Sequence, residues 1–236
     1  MIVGTSRSSG RRAYQVEGGG WLVVHQDRPE LSARTAAELL ALTRDLPGNL
    51  RYVPGLDHVQ VLGELPGRAG DLRLDEGEAR LGRWLDSTSI DTRMTPADEV
   101  VETVLETSGL AWSRRERGWA VPAAEHCPRE LRIGAEPGLV RVEAVLADWD
   151  EIGVVEAEAL ARFLYQAQPG LRFARCELHE RQARISSVIE AEHLETDLLH
   201  GLRGVAAGCR LLARETTALL VPEMARALLE FQTAAP

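Results

Sequence analysis

Cysteine and histidine have the widest chemical reach in this chain, and two short phrases bring the two types together, with His193 and His200 further on. "EHCPRE" places His126 beside Cys127, and "CELH" sets Cys176 and His179 three residues apart. Imidazole and thiolate so close can share a zinc ion or build a thiol nucleophile, so a small enzyme or metal protein using these four residues is one reading. Both chemistries ask for more than the phrases supply. A structural zinc site wants paired ligands at recognisable spacing, and His126–Cys127 lies in a proline-flanked loop with no second close cysteine pair. A catalytic nucleophile wants its base and a signature around it, and neither a Gly-x-Ser-x-Gly elbow nor a Cys-His-Asn set occurs. Surface histidines and small buried thiols are the plainer account. The expectation is no metal, no cofactor and no catalysis.

Lysine chemistry is excluded outright. All 27 basic residues are arginine, so a Walker-A, Schiff-base or kinase-type lysine has no candidate. The acidic turn "DWDE" (148–151) stands before a helix and reads as a cap. "EGGGW" (17–21) has neither the strand-to-helix context nor the spacing of a dinucleotide fingerprint, and reads as a hairpin tip.

Partner binding leaves more to work with. Five tryptophans against three phenylalanines is an unusual ratio, and tryptophan is a favoured interface anchor. Trp112 and Trp119 flank one hairpin. With Val121 they form the first candidate contact, and the face of Leu139, Arg141 and Val145 forms the second. The competing account has these side chains filling gaps between helix and sheet. Arg114, Arg115 and Arg117 crowd the same hairpin, where charge can guard a strand edge against aggregation.

The totals narrow the class. At 236 residues the chain suits one large domain or two of about 110. A net charge of −9 repels phosphate backbones, which argues against general nucleic-acid binding. Three cysteines are too few for a disulfide scaffold and suit a reducing cytoplasm. No apolar run approaches membrane-span length. Residues 1–12 read as a loose tail.

Residues 13–27 carry two short β-type runs around Gly18–Gly20. Ala36, Leu39, Leu40 and Thr43 then share a helical face that Pro47-Gly48 ends. "NLRYV" and "HVQVLGEL" form a hairpin through "PGLD", and 72–85 is helical. Thr95, Pro96 and Asp98 start a helix that Gly109 stops. A hairpin at 111–122, a loop at "HCPRE" and a strand at 139–147 follow. Residues 154–168 form a helix ended by Pro169-Gly170. "LRFARCEL" and "ARISSVIEA" make another hairpin, and the last forty residues are helical with a break at Pro222.

Helix, Pro-Gly, hairpin, helix thus occurs at 32–85 and again at 154–213. "LPGNLRY" (46–52) echoes "QPGLRF" (168–173): Leu50 and Tyr52 match Leu171 and Phe173, and Val59, Val61 and Leu65 match Ala183, Ile185 and Ile189. An internal duplication explains the echo; common helix punctuation within one α+β domain is the alternative.

The second half reads α-β-β-β-α-β-β-α from 95 onward. In element order, size, acidity and its strand–helix–Pro-Gly–hairpin rhythm it resembles the type III secretion chaperone family and its YbjN-like relatives. Residues 13–90 resemble a copy lacking its first helix, and 95–236 a complete unit with an extended C-terminal helix. The resemblance implies an α+β fold of two such units in a pseudo-dimeric arrangement. It also implies a non-catalytic cytoplasmic protein that holds an unfolded or extended segment of a partner, such as a secreted effector. Members of the family are typically homodimers. Nucleic acid and membrane are not expected partners. A purely structural assembly module, joined through the C-terminal helix, is a third class beside chaperone and enzyme.

Overall fold

A computed structural model describes residues 2–8, 11–16, 21–66, 74–86, 96, 98–122 and 129–234. The fold is α+β, with six helices and two wholly antiparallel sheets among the described residues.

The first sheet has the order β1-β2-β3-β5-β4, from β1 (Ile2–Ser8), β2 (Arg11–Val16), β3 (Trp21–Arg28), β4 (Arg51–Pro54) and β5 (Val59–Pro66). β1 corrects the expected loose tail. Its run holds β-branched Ile2, Val3 and Thr5, and it pairs with β2 from Ile2↔Val16 to Ser8↔Arg11. Between β3 and β4 lies α1 (Ala36–Thr43). Its cap is Thr35: Glu38 N–H donates to Thr35 Oγ1, and Thr35 N–H donates back to Glu38 Oε2 at 2.8 Å. α2 (Leu74–Asp86) brings Leu81 and Trp84 onto Leu50, Val61 and Leu65.

The second sheet has the order β10-β11-β9-β8-β7-β6. Its members are β6 (Ser113–Arg115), β7 (Gly118–Val121), β8 (Leu131–Glu136), β9 (Leu139–Asp148), β10 (Arg175–His179) and β11 (Gln182–Glu190). β8 is one strand more than expected between the flanking helices. Gly134 and the nearby prolines hide it in the sequence, while its pairing to β9 runs from Arg132↔Glu143 to Glu136↔Leu139. β10 begins later than "LRF" suggests. Leu171 and Phe173 are buried in the corner before it, and Phe173 takes φ 51.

α3 (Asp98–Thr107), α4 (Val154–Ala167) and α5 (Leu194–Ala218) cover the apolar face of this sheet. Val140, Val142, Ala144 and Leu146 of β9 point into the same core as Val101, Leu105, Leu160, Leu164, Leu198 and Leu202. Leu40 of α1 belongs to that core as well. α5 lies close because it is small where it crosses the sheet. A Cβ at Gly208 would stand 2.1 Å from Ile185, and one at Gly204 would stand 2.3 Å from the Arg172 carbonyl. The chain breaks as expected before Pro222, and α6 (Pro222–Ala234) packs back on α4 through Ala159, Leu219 and Ala225. Among the described residues no helix is long and apolar enough to cross a membrane.

Where the two halves meet, polar side chains do the joining. Arg51 of β4 is fully buried; it donates to the Gln168 and Leu171 carbonyls at 3.0 and 2.8 Å and pairs with Glu64 at 3.1 Å. Arg175 of β10, equally buried, donates to the carbonyls of Arg44, Leu46, Gly48 and Leu50 at 2.8–3.2 Å and pairs with Glu177 at 2.9 Å. Asn49 Oδ1 accepts from the Ser187 hydroxyl and the Val188 N–H. Unpaired polar groups here would cost about 1–3 kcal/mol each, so the near-complete pairing is what lets this seam be buried.

Candidate functional site

The sequence candidates divide into core and surface. Trp119 is 1% exposed, and its Nε1–H donates to Glu102 of α3 at 3.0 Å while the Arg114 guanidinium lies 4.6 Å above its ring. Val121 and Leu139 are buried too, and Trp112 is half-buried against the main core. Trp119 and Val121 sit in the core: β7 is an interior strand whose apolar side chains face the helices. Leu139, 7% exposed at the start of β9, shares the other face of that strand with Arg141 and Val145. Arg141 and Val145 are half-buried and stand on the opposite, outer face of β9.

The cysteine–histidine pair separates for the same reason of strand parity. Cys176 of β10 points into the core, fully buried, and burial pushes its thiol well above the ordinary range. His179, three residues on, belongs to the other face, where its Nδ1 lies 2.7 Å from Arg44 Nη1. The two cannot share a metal ion, and a thiol held neutral is a poor nucleophile. His126 and Cys127 lie outside the described residues.

The second sequence candidate, the face of Leu139, Arg141 and Val145, lies on the outer face of the six-stranded sheet, where it joins residues that the sequence did not single out. Cross-strand register lines up Arg132, Glu143, Ser186 and Arg175 across β8, β9, β11 and β10. Beside them run Gly134 and Arg141, then Val145, Arg184 and Glu177. Of these, Arg132, Gly134, Arg141, Glu143, Glu177 and Arg184 line a recess of about 230 Å³, while Arg175 and Ser186 are buried beside it. The end of α1 contributes Arg44 and the β6–β7 turn contributes Arg117, so the recess draws on both halves of the chain. It shares Arg132 and Glu143 with a neighbouring recess of about 560 Å³ that reaches Val145. It shares Arg184 with a third, of about 920 Å³, beside Trp149 and Glu180.

Charge in this recess is uneven. Five arginines face three glutamates: Arg184 pairs with Glu143 at 3.2 Å, and Arg141 pairs with Glu177 at 3.2 Å and Glu136 at 3.6 Å. Glu177 is nearly enclosed. Burial works to raise its carboxyl, but Arg175, Arg141 and the Ser186 hydroxyl outweigh it and hold the pKa below the ordinary value. Arg44, Arg117 and Arg132 have no carboxylate partner among the described residues. The buried seam positions one of them, since Arg175 holds the Arg44 carbonyl at 2.9 Å and so fixes the end of α1 beside the recess. Guanidiniums without carboxylate partners over a polar sheet can bind anionic groups.

The rest of this face is legible only through pairing. Arg132 and Glu143 become neighbours by the β8–β9 register, and the sequence pattern assigns no element to 131–136. No protein-family model matches the chain, and no curated protein is similar to it in sequence.

Proposed function

We propose that this chain is a non-catalytic protein-binding protein built from two type III secretion chaperone-like units, the first lacking its leading helix. It would hold an extended segment of a partner on the outer face of the six-stranded sheet. The carrying observation is the reciprocal seam: each Pro-Gly corner is gripped by a buried arginine from the other half. Two similar units facing each other through corresponding corners are the covalent counterpart of a chaperone dimer. The adjoining recesses supply a run of surface along β8, β9 and β11, between the end of α1 and the β6–β7 turn, where an extended chain can lie.

Catalysis has less support. The buried Cys176 thiol is raised, and His179 faces Arg44 rather than a thiol. Cys176 and Cys209 are both buried, and so few cysteines suit a reducing cytoplasm.

The test is binding of unstructured peptides of about fifteen residues, long enough at roughly 3.3 Å per residue to cross several strands. Fluorescence anisotropy measures affinity, and hydrogen exchange locates the contact. Protection concentrated on β8 and β9 is expected. An array of varied peptides with no binder, or protection confined to α6, would overturn the reading.

A further inference from the structure

We infer that the recess on the outer face of the six-stranded sheet selects an acidic extended segment, with aspartate or glutamate side chains received by Arg44, Arg117 and Arg132. This rests on the peptide-binding reading above and names the chemistry of the partner.

Charge bookkeeping over the whole chain makes the recess stand out. With 36 acidic residues against 27 arginines, chance would leave acidic groups in excess on most surfaces. Here the excess is cationic, and the pairing is selective. Each glutamate of the recess is matched to Arg141 or Arg184, which leaves Arg44, Arg117 and Arg132 without a carboxylate partner among the described residues, Arg44 meeting only the His179 ring at 2.7 Å. Those three come from different elements: the end of α1, the β6–β7 turn and β8. They surround the floor rather than cluster on one helix, as separate carboxylates along an extended chain would require. Arginine suits the task because its planar fork can meet a carboxylate with two parallel hydrogen bonds.

The floor is open by composition. Gly134 stands between Arg132 and Glu136 on the outer side of β8, and a Cβ placed there meets nothing within 4 Å. Packing therefore does not require glycine at this position; a larger residue would fit the fold and fill the recess. An acidic polypeptide is favoured over a nucleic acid because the remainder of the surface is negative. A few carboxylates can be local, whereas a phosphate backbone carries its charge at every step along that surface.

Anisotropy titrations of the full chain test this with three peptides of equal length: one rich in Glu and Asp, its Gln and Asn counterpart, and a lysine counterpart. The acidic peptide is expected to bind at least about tenfold more tightly than the amide one. Raising salt from about 50 mM to about 500 mM should erode the difference. Arg117→Gln with Arg132→Gln, both exposed positions, should remove the preference. Gly134→Ile should weaken binding while leaving the melting temperature equal or higher. If acidic and amide peptides bind alike, the charge inference fails and peptide binding stands. If none of the three binds, both fail. If a single-stranded oligonucleotide binds more tightly and competes at the recess, phosphate is the ligand chemistry and the inference is overturned.

Discussion

Arg51 and Arg175 grip each other's halves of the chain across one buried seam. Arg51 reaches the carbonyls on either side of Pro169-Gly170, and Arg175 reaches those on either side of Pro47-Gly48. Each is anchored in its own hairpin by one glutamate, Glu64 or Glu177. Glu64 also accepts from the Phe173 N–H at 2.9 Å and from Arg172, so it holds the strained corner of the opposite half. The echo between "LPGNLRY" and "QPGLRF" is thus two ends of one contact.

Removing one charge from this seam should be costly. Arg51→Met leaves Glu64 buried with only Arg172 and one N–H, and takes one of two donors from each of the Gln168 and Leu171 carbonyls. Losing one partner of a buried pair costs roughly 3–5 kcal/mol. Urea unfolding should show the midpoint falling with an unchanged slope. Arg51→Met with Glu64→Gln should recover part of the loss, since no buried charge is then left alone.

Acid should loosen the same region. The folded pKa of Glu177 lies below its ordinary value near 4.5, so the carboxylate contributes stability at neutral pH that is lost as pH falls below about 4.5 through the folded pKa. Glu177→Gln should be less stable than the parent at pH 7. Below about pH 4.5 its stability should fall less steeply, as paired urea titrations at neutral and acidic pH would show. Equal pH slopes for parent and variant would count against this assignment.

The two glycines of the echo should respond differently to alanine. Gly48 has φ +53, and a Cβ there would stand 2.5 Å from the Trp84 ring, whose Nε1–H is tied to Glu190. Gly48→Ala should cost roughly 1–3 kcal/mol. Gly170 has open space at its Cβ and no positive φ, so alanine should be neutral or add about 0.4–1 kcal/mol by restricting the unfolded chain. Melting curves of the two variants make the comparison directly.

Local chemistry made the frame legible: Pro-Gly ended α1 and α4 on cue, Pro222 parted α5 from α6, and alternation in β9 assigned Val140, Val142, Ala144 and Leu146 to the core. Arg51 and Arg175 were not legible, because an arginine on a short strand looks like a solvated residue until the carbonyls of a distant corner are brought to it. β8 was missed because Gly134 and flanking prolines imitate a loop. The recess followed it out of sight, since its charges come together only through that strand's register.

Trp119 is the sharpest test of reading function from residue type. Tryptophan is frequent at interfaces, yet this one is 1% exposed and fills the core beneath α3. Trp119→Ala should cost roughly 3–5 kcal/mol through the cavity it opens. Trp119→Phe keeps most of the volume and loses the bond to Glu102, together with some of the stacking beneath Arg114. It should cost about 1–2 kcal/mol, near the range for one buried hydrogen bond. At temperatures where Trp119→Phe is fully folded, its peptide affinity should equal that of the parent. A drop in affinity without a change in melting temperature would return Trp119 to the binding surface and move the contact from the outer face to the β6–β7 hairpin.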